Sequence, residues 1–384
     1  MAAITAARAG ARVVVIEKTP DGGRKILISG GGRCNVLPSV AAPERFVSAS
    51  PPTLVKRLLR SFPLHEQRRF FEDEAGIPLA LEEDSGKLFP ASNRARDVRD
   101  GLVRVATEAG VAFRWNTAVA TVEPIEGRWH VAVDRGDPIE ARAVIVATGG
   151  LSVPATGSDG AGLSIARRLG HRMAETYPAL TPLLSNAPAH AALSGLTIKA
   201  DVRAPASGRH ARSIGGFLFT HRGYSGPTVL DVSHGFTRDR GAILVSWGAI
   251  PRADWESSLE DRTGLVATRL SSRLPSRLVD MVMASAGVPP DRKLAELKRE
   301  ERIRLVERLV DYELPVTGDE GYRKAEVTGG GVALEEVDPL TLESRRHPHL
   351  YFCGEVLDAF GPIGGHNFMW AWSTGRAAGG AAGV

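Results

Sequence analysis

The opening of the chain constrains its fold most. An Ala-rich stretch, MAAITAARAG, stops at Gly10 and runs into ARVVVIE, Ala11 to Glu17. The first segment has the composition of a helix, and a glycine just past its end is a natural stop. The second is short, β-branched and apolar on successive residues, the pattern of a strand buried on both faces of a parallel sheet. Helix, short loop and buried strand ending in a carboxylate form the second half of a dinucleotide-binding βαβ unit.

Glycine supports that frame. The chain has 42 glycines among 384 residues, about 11% against a typical ~7%, and the excess falls in clusters. The most compact is Asp21 to Asn35, DGGRKILISGGGRCN.

Composition narrows the class. A hydrophobic fraction of 43% with 24% charged residues excludes wholesale disorder. No apolar run reaches the ~18 residues of a membrane span, and the N-terminus has no signal-peptide pattern. Two cysteines make no disulfide framework, and no Cys/His spacing suggests a zinc site, so no metal is expected. The net charge is +4, from 48 basic and 44 acidic residues. The basic residues are scattered and carry no aromatic platform. We expect a cytoplasmic protein with a small-molecule substrate and neither nucleic-acid nor membrane partners. A modest positive field suits an anionic cofactor.

Further along, helices are expected after Ser50-Pro51, near Leu64 and over 95–109, with a DSG turn at Asp84–Gly86 between two short strands. Strands are expected over 112–114, 118–122, 128–133 and 141–147, the last ending in ATGG. From Thr181 to Ala249 short strands and turns dominate. Arg252 to about Tyr312 is rich in Arg, Leu and Glu and reads as helical, and after Arg323 the strand-and-glycine style returns. The expected organisation is α/β. Residues 1–180 and 324–384 would form a cofactor domain, with a β-rich insertion over 181–251 plus about 312–323 and a helical subdomain over 252–311.

Several residues could carry chemistry. Glu17 is either a ribose-binding carboxylate or an exposed strand-end residue. Gly30-Gly31-Gly32 is either a backbone cradle for a flat or anionic ligand, with Lys25 and Arg33 to neutralise phosphate, or a plain turn. Thr148-Gly149-Gly150 ends a strand where ligands need small residues, and Gly157 and Asp159 precede a helix that Asp159 could cap. In YFCGEVLDAFGPIGGHNFMWAWSTG a strand meets Glu355 and Asp358, and Pro362–Gly365 leads into a final helix. The amides at its start would suit the negative charge on the pyrimidine side of a reduced flavin; Trp370 and Trp372 would pack the same helix. His366 is a candidate proton donor, because imidazole titrates near neutrality. Cys34 and Cys353 are either a redox pair or two buried thiols.

Together these segments resemble the BaiN-type flavoproteins, also described as the aminoacetone-oxidase family of FAD-dependent oxidoreductases. RKILISGGGRCN, GKLFPAS, AVIVATGG, TGSDGAG, FLFTHRGYSGP, EVTGGGVALEEVDPLTLESR and LYFCGEVLDAFGPIGGHNF follow in order, nearly end to end. The resemblance implies an FAD-binding Rossmann-like fold of the two-dinucleotide-binding type, with an inserted β-rich domain and a small helical domain. It implies FAD, with NAD(P)H as a candidate donor. Glu17 and Lys18 would lie at the ribose. Lys25, Ser29, Gly30, Gly31, Gly32, Arg33, Cys34 and Asn35 would lie at the pyrophosphate and ring, and Val119 at the adenine. Thr148, Gly149, Gly150, Gly157, Asp159, Gly354, Glu355, Asp358, Ile363, Gly364, Gly365, His366 and Asn367 would complete the cofactor site. His221, Tyr224 and Ser225 would face substrate.

The chain departs from that pattern in places. Family members begin with a strand and a G-x-G-x-x-G turn, roughly 15 residues ahead of the helix that here begins at Met1. We therefore expect translation to start upstream. The family more often has Tyr at His366, Gln at Met369 and Thr-Asn at Leu37-Pro38, so a relative's substrate is not transferred. The expected activity is hydride or electron transfer through flavin N5, from NAD(P)H or an organic donor to a small organic substrate or oxygen. The alternatives are a truncated, inactive flavoprotein remnant acting as a binding protein and a dehydrogenase that uses nicotinamide alone.

Overall fold

The computed structural model describes residues 1–208 and 211–384. The chain divides into two compact units, residues 1–177 with 326–384 and residues 178–325.

The first unit is built on two short parallel pairs. Val14–Ile16 pairs with Ala112–Arg114, and Val144–Val146 pairs with Leu350–Phe352. All four run in the sense that places Glu17, Thr148–Gly150 and Gly354–Glu355 just past carboxyl ends, where α/β sheets present ligands. Val14–Ile16 was expected to be buried on both faces, yet Val14 is 37% exposed. Among the described residues this strand has a hydrogen-bonded neighbour on one side only. The expected strand over 141–147 is also divided. Ile139–Ala141 joins an antiparallel sheet with Arg128–Val133, and Val144–Val146 joins Leu350–Phe352. One stretch thus serves two sheets.

The terminal helix, His366–Ala382, anchors the unit. Trp370 and Trp372 are buried, and Trp372 meets Phe71 edge-on and stacks on Phe368. Further along the helix the surface is nearly bare: Gly375, Gly379 and Gly383 recur at helical spacing. Ala2–Arg8 lies against them, close enough that a Cβ at Gly379 would stand 2.2 Å from the Ala2 carbonyl oxygen. The N-terminal helix owes its seat to those missing side chains.

The second unit carries a seven-stranded antiparallel sheet. Its strand order is Tyr312–Glu313, Leu244–Trp247, Thr197–Arg203, Arg212–Thr220, Gly223–Ser225, Leu183–Leu184, Gly318–Asp319. The Arg- and Leu-rich stretch is helical. Its α-helices are Arg252–Ser258, Val266–Ser271, Ser276–Ala286 and Arg299–Val310, and Pro275 separates the second from the third, because proline disfavours helix at the residue before it. Phe217 and Trp247 of the sheet share one apolar core with Trp255, Leu278 and Leu305 of the helices.

The glycine face gives a direct test. Gly379→Ala forces a methyl into the Ala2 carbonyl and should cost about 1–3 kcal/mol, the usual scale of overpacking. At neighbouring Gly380 a Cβ would meet Thr5 at an ordinary 3.8 Å. Gly380→Ala should therefore leave stability unchanged or raise it by up to about 1 kcal/mol through helix propensity. Denaturant unfolding of both variants checks this, and equal effects would contradict the close approach.

Candidate functional site

Three groups of residues converge within the first unit. The first is at Glu17. Thr19 donates both its backbone N–H and its hydroxyl to Glu17 Oε1, each at 2.7 Å, which fixes the carboxylate. Among the described residues Oε2 has no partner and stays available to a ligand hydroxyl. Thr117 N–H donates to the Glu17 carbonyl, bringing the segment that leads to Val119 alongside. Gly157 closes the other side: a Cβ there would lie 3.3 Å from Lys18 and from Thr19. Lys18 pairs with Asp159 at 2.6 Å. Burial pushes the Asp159 carboxyl up, but Lys18 and the Ala161 N–H outweigh burial and hold it below the usual range.

The second group centres on Glu355. Its Oε2 accepts from Lys25 Nζ at 2.6 Å, and its Oε1 accepts from the Ser152 hydroxyl at 2.7 Å and the Thr328 N–H at 2.9 Å. Lys25 also donates to Ser152 at 2.5 Å. Thr328 Oγ1 accepts from the backbone of Leu151 and Ser152. Gly150 is pressed into this network, since a Cβ there would meet Thr328 Oγ1 at 2.4 Å and Glu355 Oε1 at 3.0 Å. Thr148 and Gly149 lead into it. Ser152 and Thr328 were not among the expected site residues. Their only sequence signal is position, two residues after ATGG and at the head of TGGG.

The glycine triplet follows the helix that carries Lys25. Gly30, Gly31 and Gly32 have φ of +56°, +67° and +84°, and a Cβ at Gly31 would meet nothing within 4 Å. The Ser29 carbonyl accepts from Cys34 N–H and closes the turn. Asn35 N lies against Gly30. Arg33 lies 4.0 Å over the Phe89 ring and pairs with Glu82 at 2.9 Å, so its charge is already engaged. Cys34 and Cys353 are both free and buried. Burial pushes their thiols up to about 11 and about 12, which makes each an inert thiol rather than a thiolate.

The third group is the approach to the terminal helix. Gly354 N–H donates to Thr374 Oγ1, and its carbonyl accepts from Trp370 Nε1. Asp358 turns inward: its Oδ2 accepts from the Ser48 hydroxyl and the Ala49 N–H. Ile363 is half-exposed, and Gly364 faces Lys87. Gly365 fits only without a side chain, because a Cβ would meet the Leu37 carbonyl carbon at 2.5 Å. Among the described residues no side chain caps this helix, which leaves its first amides to other partners.

His366 is 8% exposed. Neither ring nitrogen completes a hydrogen bond of normal geometry, although the backbone of Val40 and of Ile363 lies near. Burial, then the Arg45 cation, lower its pKa to about 4. The expected near-neutral titration is therefore not met, and the imidazole is neutral at pH 7.

The residues expected to face substrate lie in the other unit. His221 is exposed in a turn. Ser225 pairs with Leu218 in the sheet. Tyr224 is fully buried and bonded to His190 and Ser185.

FAD fits the donor set in the first unit. The open oxygen of Glu17 suits a ribose hydroxyl, the left-handed glycines offer exposed backbone, and the uncapped helix and unpaired imidazole await polar partners. No cluster of metal ligands occurs among the described residues. No helix among them is long and apolar enough to cross a membrane.

A family profile described as the HI0933-like protein Rossmann domain matches residues 1–381. The chain is 34% identical over 380 residues to ribosomal RNA dihydrouridine synthase of Escherichia coli (strain K12), covering 96% of this chain and 91% of that protein. It is 30% identical over 397 residues to 3-dehydro-bile acid delta(4,6)-reductase of Clostridium scindens, covering 100% of this chain and 96% of that one. Among solved structures, a quinol-fumarate reductase with menaquinol molecules matches with a TM-score of 0.50 at 15% identity, covering 100% of this chain and 68% of that chain. That likeness shows the fold alone.

Gly150 offers the sharpest test of the convergence. Gly150→Val drives a branched side chain into Thr328 and Glu355 and should weaken FAD binding at least about ten-fold, the scale of one charge-assisted hydrogen bond. Titrating apo-protein with FAD and following flavin fluorescence reads the effect. Unchanged affinity would separate Glu355 from the cofactor site.

Proposed function

This chain belongs to the HI0933-like Rossmann family of FAD-dependent oxidoreductases, and from that membership we propose that it reduces a carbon–carbon double bond conjugated to a carbonyl, drawing electrons from NADH or NADPH. The relatives' names support that bond. Uridine becomes dihydrouridine by saturation of a ring double bond next to a carbonyl. The delta(4,6) bonds of a 3-dehydro bile acid are conjugated to its ketone.

The observation that carries the reading is the buried, neutral imidazole of His366 at the uncapped start of the terminal helix. When bound, FAD would supply a hydride equivalent for the β-carbon of such a system. Charge would gather on the substrate's carbonyl oxygen, and a proton from water at the α-carbon would complete the saturated product. A neutral imidazole held below its usual pKa can donate a hydrogen bond to that oxygen through its one ring N–H without first becoming an imidazolium. The helix amides would hold the electron-rich pyrimidine edge. Glu17 would orient the ribose, and the Lys25–Glu355 pair would brace the segments beside the cofactor.

The protein should show flavin absorbance that NADH or NADPH bleaches without oxygen and a conjugated acceptor restores. The product should be two hydrogens heavier. Uracil-containing RNA and a steroid dienone are the two acceptors to compare. The pH profile with the reactive acceptor carries a further signature. With His366 near 4, its neutral form persists as pH falls through 6.5, so kcat/KM should stay flat there and decline only toward about 4. A preparation that stays colourless with added FAD, or a reduced flavin that only oxygen reoxidises, would contradict the proposal. An inflection near 6.5 that His366→Gln abolishes would contradict the neutral imidazole.

A further inference from the structure

Asn367 stands second in the terminal helix, directly after His366. Gly365 occupies the capping position and has no side chain to offer. Asn367 does not cap the helix in its place. Its carboxamide reaches back to Gly361, where Oδ1 accepts the N–H at 2.9 Å and Nδ2 donates to the carbonyl at 3.0 Å. Both polar groups of one residue are thus paired with both ends of one side-chain amide, as two strands pair across a ladder.

The surroundings make this pairing specific. A Cβ at Gly361 would stand 2.7 Å from the His366 Cβ and 2.7 Å from the Phe46 ring, so the loop base admits only glycine. Between base and helix, Gly364 and Gly365 have φ of +111° and +94°, and they reverse the chain sharply. Two glycines leave the loop many alternative paths. Some would fold its carbonyls onto the helix end and occupy the free amides. The Asn367–Gly361 pairing selects one path.

The geometry points to Asn367 as a positioning residue of the FAD site. By clamping Gly361 it holds the Gly361–Gly365 loop off the helix start, leaving the first-turn amides open to the pyrimidine edge of the flavin. The inference rests on the cofactor reading above and gives Asn367 a part played through Gly361 rather than by contact with FAD.

The test uses the full chain with and without FAD. Asn367→Ala removes both bonds. It should bind FAD roughly ten-fold more weakly and lower the flavin midpoint potential, since the reduced, electron-rich form loses its aligned amides. The far-UV circular dichroism of the apo-protein should match the wild type. A purely structural role would change thermal stability without moving the potential of the flavin that still binds. Should Asn367→Ala fail to fold, Asn367→Asp keeps the side-chain shape and the Gly361 N–H bond, loses the donor to the carbonyl, and should also lower affinity and potential. Wild-type affinity and potential in the folded variant would overturn the inference. A wild-type protein that takes up no FAD would overturn the cofactor reading itself, and this inference with it.

Discussion

The Glu355 carboxylate ties together three distant segments of the first unit. It accepts from Lys25, 330 residues away in the chain, from Ser152, 203 away, and from the backbone of Thr328, 27 away. Each donor belongs to a different glycine-bearing segment. A half-buried carboxylate with three donors is costly to disrupt, because losing one leaves charge uncompensated. The glycines matter because they let backbone approach where these bonds form. At Gly150 and Gly365 even a methyl has no room.

Much of this frame could be read from residue order. The β-branched run ending in Glu17, the glycine triplet and the glycine-led terminal helix are local patterns, and the structure assembles all of them in one unit. What could not be read is where polar side chains turn. Asp358 and Asn367 sit in the right segment, yet Asp358 secures the Ser48–Ala49 backbone and Asn367 secures Gly361. Arg33 reads as a phosphate partner but is taken up by Glu82 and Phe89. Tyr224 lies beside exposed His221 but faces the core. Each outcome depends on partners far along the chain. Ser152 and Thr328 went unnoticed for the same reason, since neither residue type is unusual for a loop. The exposure of Val14 follows from strand neighbours rather than from its own apolar pattern.

The site combines immobile backbone dipoles with a neutral imidazole. Such a surface suits chemistry in which charge builds up on an oxygen and must be stabilised without a strong acid nearby. Reduction of a conjugated double bond has that character, whether the carbonyl belongs to a pyrimidine or a steroid. The second unit has its own core and its own buried hydrogen-bond chain, Tyr312 to His190 to Tyr224 to Ser185. Burial lowers His190 to about 4, so this chain too is neutral at physiological pH.

The central claim is that Lys25 and Glu355 act as one element in building the FAD site. A double-mutant cycle on FAD affinity, with Lys25→Met, Glu355→Gln and their combination, tests it most directly. The account predicts that each single change weakens binding and that the double variant binds no worse than the weaker single. That corresponds to a coupling of about 1 kcal/mol or more. Two effects that simply add, or two variants that bind FAD as the wild type does, would contradict it.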